Sequence, residues 1–98
     1  MEVLEKPELQ VLETGKSFKT LQITALAGMF MPTHHATMET VIIIQEGEAL
    51  LKMPKSDHLL KKGASFIIAA GIEHSLEVKK DFKAIAIMAI ASEIKFKE

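Results

Sequence analysis

The sequence predicts an all-β fold, and three observations carry that expectation. Apolar and polar residues alternate with a period of two in several short segments, turn-forming residues interrupt the chain at short intervals, and helix caps and long stripes at helical spacing are missing. Strands this short and this regularly punctuated suit a sandwich or a small barrel. At 98 residues the chain is expected to form one domain over 1–98, burying roughly 60 to 65% of the surface that the unfolded chain exposes.

Each element follows from its own residues. "LQVLET" at 9–14 reads as an edge strand ahead of the rest of the barrel, free to pair with the sheet edge of a second copy. Leu21, Ile23 and Ala25 alternate with Gln22 and Thr24 as a half-buried strand. "VIII" at 41–44 and "FII" at 66–68 are β-branched or aromatic runs that fit strands covered on both faces. Ala49, Leu51 and Met53 alternate with Glu48 and Lys52, and Leu76 and Val78 with Glu77 and Lys79. Turns are expected at Gly15-Lys16, Gly28, Glu46-Gly47, Pro54 to Asp57, Lys62-Gly63, Ala70-Gly71 and Lys80-Asp81. In 82–94, "FKAIAIMAIASEI", the alanines favour helix and Ile85, Ile87 and Ile90 favour strand. Strand is preferred, because an uninterrupted apolar run of eight residues is short for a buried helix.

Composition excludes several function classes. With no cysteine there is no disulfide, thiolate metal ligand, Fe–S cluster or cysteine nucleophile, which fits a reducing compartment and a cytoplasmic location. The twelve cations are all lysine, spread along the chain, with a formal net charge of −1. Without the arginine fork that reads guanine and phosphate, nucleic-acid binding is not expected. The first ten residues lack a basic segment leading into an apolar one, and "AIAIMAIA" at 84–91 is under half a membrane span, so no membrane association is expected. Tyr, Trp and Asn are absent, leaving Ser, Thr, Gln, Glu, Lys and four histidines to orient a ligand.

Two glycine-bounded stretches resemble the paired motifs of the cupin family. The first family motif runs Gly, five residues, His-x-His, three or four residues, Glu, six residues, Gly; here His34 follows Gly28 after five residues, and Gly47 stands at the closing glycine of the shorter form. The second runs Gly, five residues, Pro-x-Gly, two residues, His, three residues, Asn; Gly63, Gly71 and His74 match that frame without a gap. Together the motifs span 28–78, about half the chain. The resemblance implies a jelly-roll-like double-stranded barrel of two antiparallel sheets, with His34 and His74 projecting into its pocket from neighbouring strands, and a homodimer as in many small cupins.

The departures are chemically specific. Ala36 stands at the second histidine, Thr40 at the glutamate, Ala69 at the proline and Val78 at the asparagine. Of the three histidines and one glutamate that the family typically offers a metal, only His34 and His74 remain. If the strand through this stretch is regular, His34, Ala36, Met38, Thr40 and Ile42 share one face, while His35, Thr37 and Glu39 share the other. Adjacent histidines then cannot clasp one metal, and Glu39 turns inward only if a bulge between 36 and 39 shifts the register. His35 and His58 read as exposed bystanders. Five methionines, Met29, Met31, Met38, Met53 and Met88, read as core filler in preference to a pocket lining.

Three functions of different classes stay open. The first is a binding module whose pocket, lined by Ala36, Met38, Ile42 and Phe66, takes a small organic ligand held at its polar end by His34, His74 and Thr40. The second is a metal-dependent enzyme of the dioxygenase, isomerase or lyase kinds known among cupins, with Zn, Fe, Mn or Ni on His34 and His74, completed by water or Glu39. The third is a non-catalytic interaction barrel.

Overall fold

The computed structural model describes residues 4–97; residues 1–3 and 98, the ends of the expected domain, lie outside the described residues. These fold into eight strands: β1 (Glu8–Thr14), β2 (Phe18–Ala25), β3 (Phe30–Ala36), β4 (Thr40–Lys52), β5 (Asp57–Lys61), β6 (Ser65–Ile68), β7 (His74–Ala89) and β8 (Ile94–Phe96). No helix among them is long and apolar enough to cross a membrane. Every pairing is antiparallel. The segment 82–94 is strand as expected through Ala89, then turns and re-enters the sheet as β8.

The architecture follows from two long strands that bend. β4 and β7 pair with each other along their whole lengths, Thr40 opposite Met88 at one end and Lys52 opposite Ser75 at the other, with register shifts between Ile44 and Ala49. On one side of those bulges the order is β1-β2-β7-β4-β6, and on the other β8-β3-β7-β4-β5. The two halves fold face to face, and the inward residues of both fill one core around Ile44, Ala49, Leu51, Phe82 and Ala84. The signals at Glu46-Gly47 and Lys80-Asp81 therefore mark corners within continuous strands, not hairpin turns. Extra residues at a bulge bend a strand without ending it.

Gly47 is the residue on which that corner depends. It adopts φ +81°, and a Cβ there would overlap the Asp81 carbonyl and stand 2.9 Å from the Lys80 carbonyl oxygen. Only glycine allows the two bent strands to approach so closely. The remaining glycine signals are turns as expected, Gly28, Gly63 and Gly71 each with positive φ, and Met53 N donates to the Ser56 carbonyl across the Pro54 turn.

The stretch carrying the histidines departs from a regular strand. β3 ends at Ala36 and β4 begins at Thr40, because residues 37 and 38 bond to the Ile90–Glu93 turn: Thr37 N donates to the Glu93 carbonyl, Met38 N to Ser92 Oγ, and Glu93 N to Thr37 Oγ1. Met38 and Glu39 consequently project outward and are exposed. One expectation is corrected here: Met38 does not line the pocket. Glu39, which only a shift of register would have turned inward, is exposed. β1 pairs with β2 of its own chain through a bulge between Val11 and Glu13, and its other edge is open.

Candidate functional site

His34 and His74 face each other as cross-strand partners of β3 and β7, in register because β3 carries an irregularity between Met31 and His34. Their rings meet edge to face with centroids 4.3 Å apart, both nearly buried. Each is held by the same local device. His34 Nδ1 lies 2.7 Å from the Pro32 carbonyl and His74 Nδ1 lies 2.9 Å from the Ile72 carbonyl, in both cases two residues upstream. A carbonyl oxygen only accepts, so Nδ1 carries the proton in each ring, and the neutral form keeps a bare lone pair on Nε2.

Electrostatics favour that neutral form. Burial lowers the pKa of His34 below its ordinary 6.5; the Pro32 bond opposes this, and the neighbouring His74 and His35 reinforce it. His74 is lowered by burial as well, against the Ile72 bond and with help from His35. Near neutral pH the pair therefore offers two uncharged acceptors.

Both rings line a cavity of about 50 Å³ between the two halves of the sheet. Its walls are apolar apart from His34, His74 and Thr40, and Thr40 Oγ1 is fully buried with no hydrogen-bond partner. A buried hydroxyl left unpaired costs about 1–3 kcal/mol, so this oxygen marks where a water or a polar ligand atom belongs. Ala36 and Ile42 line the same cavity. Phe66 does not. It is half-buried on the inner side of β6, where it packs against His58, the ring centroids 4.7 Å apart. His58 is accordingly half-buried with Ser56 Oγ 3.0 Å from its Nε2, not a solvent-exposed bystander, while His35 is half-buried on β3 opposite Lys95.

Sequence reasoning did not single out Leu51, Ile68, Leu76 and Ala86 as cavity walls. Their inward alternation was the available signal; that they converge on one cavity depends on the corner between the sheets. Met31 and Met88, read as core, are buried and line the cavity too, whereas Met29 and Met53 pack at the edge of the core. Outside the cavity, a groove of about 320 Å³ runs along Lys6, Pro7, Phe30, Pro32 and Phe96 and shares Leu9 and Met31 with it. Phe96 brings this groove to the histidines, its ring centroid 5.0 Å from that of His34.

The donor set does not suit a metal ion. Among the described residues no group of three or more His, Cys, Asp and Glu side chains comes together, and Thr40 offers a neutral hydroxyl where a carboxylate would be needed. Two imidazoles fall short of the three or four protein ligands usual for zinc, and of the two histidines plus carboxylate common for non-haem iron. The residues present do not make a complete metal centre.

No protein-family profile and no curated protein sequence matches the chain. Solved structures do. The chain is similar to a protein with a double-stranded β-helix domain from Klebsiella pneumoniae at 16% identity, covering 99% of this chain and 90% of that one with a TM-score of 0.82. It is similar to a cupin-2 domain protein from Shewanella frigidimarina at 17% identity, 89% and 84% coverage and a TM-score of 0.76. It also overlays the DMSP lyase DddQ from Ruegeria pomeroyi at 17% identity and a TM-score of 0.86, covering 95% of this chain but only 52% of the lyase. With β4 and β7 shared between two folded-over sheets and its histidines facing inward from β3 and β7, the chain is a cupin in fold.

Proposed function

We propose that the protein binds a small organic molecule through a hydrogen-bond-donating group, a hydroxyl or an N–H, delivered to His34, His74 and Thr40. The observation that carries this reading is the polarity of the cavity: two bare Nε2 acceptors and one unpartnered hydroxyl in walls that are otherwise apolar. A buried acceptor without a partner penalises a ligand that brings none, which makes such a site selective for donors over isosteric hydrocarbons. Size limits the inner part. A cavity of about 50 Å³ holds a few waters or a functional group, while drug-sized pockets run to roughly 300–1,000 Å³. The body of the ligand then belongs in the adjoining groove against Phe30, Pro32 and Phe96.

A catalytic reading has one observation in its favour. A neutral imidazole with a bare Nε2 in a largely apolar cavity is also a general base, and proton transfer by such a group commonly contributes 10²–10⁴-fold. A lyase stands among the similar structures, at an identity that speaks only to the fold.

The test compares two probes of one shape. Phenol, which donates, and toluene, which does not, are titrated into untagged protein while the His34 and His74 ring signals are followed by NMR. Phenol is expected to bind at least about tenfold more tightly, as one additional good hydrogen bond predicts, and His34→Ala is expected to abolish the difference. Equal binding of the two probes counts against the reading. So does a stoichiometric metal in elemental analysis of the purified protein that is lost in both His34→Ala and His74→Ala.

A further inference from the structure

Resting on the donor site proposed above, we infer that its ligand is a phenol or aryl amine extended by a second flat ring, and that Phe96 selects that ring. His74, His34 and Phe96 are successive cross-strand partners on β7, β3 and β8, so their rings form one row. The centroids lie 4.3 Å apart from His74 to His34 and 5.0 Å from His34 to Phe96, near the ~4.8 Å spacing of paired strands. The row crosses a boundary. Both histidines are nearly buried and line the inner cavity, whereas Phe96 is 49% exposed and lines the outer groove. A ring whose donor rests on His34 therefore has its neighbour at Phe96 one strand spacing away, close to the separation of two directly joined aromatic rings. Phe96 is also fixed in place. Lys97 N donates to the Thr33 carbonyl at 2.9 Å and Lys97 Nζ lies 3.8 Å from a Glu73 carboxylate oxygen, which ties this strand end to the residues preceding both histidines.

The groove walls select flatness over bulk. Besides Phe96 they include Phe30, Pro7 and Pro32, so four of the lining side chains are rings, and Phe30 is itself 51% exposed. Two phenylalanine rings open to solvent beside one groove gain by being covered. The covering group is small and uncharged. A groove of about 320 Å³ stands at the lower end of small-molecule sites, which run to roughly 300–1,000 Å³. Among the described residues lining it Lys6 alone is charged, which gives a peptide or a nucleic acid no array of charge to follow. Ring chemistry then sets the preference. Aromatic pairs attract beyond the area they bury, an advantage of about two- to tenfold in affinity. A saturated six-membered ring of the same span is thicker and carries more apolar surface, so burial alone would favour it instead. The two effects have opposite signs.

Four probes separate this inference from the donor site on which it rests. Phenol, toluene, 4-phenylphenol and 4-cyclohexylphenol are titrated into the full chain, with dissociation constants taken from NMR. 4-Phenylphenol is expected to bind about two- to tenfold more tightly than 4-cyclohexylphenol, with nuclear Overhauser contacts from its outer ring to the Phe96 ring. Phe96→Leu keeps an apolar side chain and is expected to erase that preference while phenol still outbinds toluene; Phe96→Tyr is expected to keep it. Phe96 is half exposed on a three-residue edge strand, so both variants are expected to fold, with circular dichroism as the check. The wild-type preference and ring contacts decide the matter even without the variants. 4-Cyclohexylphenol binding as tightly as 4-phenylphenol or more tightly overturns the inference, and leaves the donor site standing where phenol outbinds toluene. Equal binding of phenol and toluene removes the donor site and this inference with it. An undiminished preference in folded Phe96→Leu overturns the inference as well.

Discussion

A backbone carbonyl two residues upstream sets the state of each buried histidine. Pro32 and Ile72 take the Nδ1 protons of His34 and His74, so neither ring is free to turn its N–H into the cavity while these bonds hold. NMR correlation of ring nitrogens with ring protons is expected to show the Nδ1–H tautomer for both at neutral pH, and titration midpoints below the ordinary 6.5. The consequence for stability has a definite sign. With the folded pKa lowered, the unfolded chain binds more protons between that value and 6.5, so the contribution of the pair is complete above pH 6.5 and is lost as pH falls through the folded pKa. Melting temperature is therefore expected to decline on acidification below about 6.5, and less steeply in a His34→Gln, His74→Gln double variant. An Nε2–H tautomer in either ring, or an equal decline in the double variant, would contradict this account.

At the scale of elements, the bend at Gly47 allows β4 and β7 to serve two sheets at once. Gly47 and Gly63 make a controlled comparison, because both adopt positive φ yet only Gly47 has backbone in the way of a side chain. Gly63→Ala is expected to cost about 1 kcal/mol for its left-handed conformation. Gly47→Ala bears the same conformational cost and must also push β7 away, so it is expected to cost at least about 3 kcal/mol or to prevent folding. Chemical denaturation of the two variants checks the difference, and equal effects would remove the corner from the argument. The strands themselves were legible: the inward residues Leu21, Ile23, Ala49, Leu51, Leu76 and Val78 alternate as their burial requires. The corners were not, since a bulge leaves no alternation of its own and 46–47 and 80–81 look like ordinary turns. The site divides in the same way. His34 and His74 were found through motif spacing, while Met38 was misplaced because the contact that breaks its strand is with Ser92, 54 residues away.

For the whole molecule, the shared strands imply one cooperative unit with two loose margins. β4 and β7 carry the most deeply buried side chains, Ile44 and Leu51 among them, and every other strand except β1, β5, β6 and β8 leans directly on β7. β1 is exposed along its whole length, and β8 is a three-residue strand at the opposite edge. Amides of β1 and β8 are expected to exchange with solvent through local fraying, while those in both halves of β4 and β7 exchange only through global opening. Leu51→Ala, which empties a core position on one side of the corner, is expected to cost about 2–5 kcal/mol. If the sheets are one unit, that loss appears equally in the protection of Val41–Ile43 and of Leu50–Lys52, although the substituted residue belongs only to the second segment. Protection in β1, governed by its own fraying, stays where it was. Unequal losses across the corner would mean that the two sheets open separately, and that the bent strands join two folding units instead of building one.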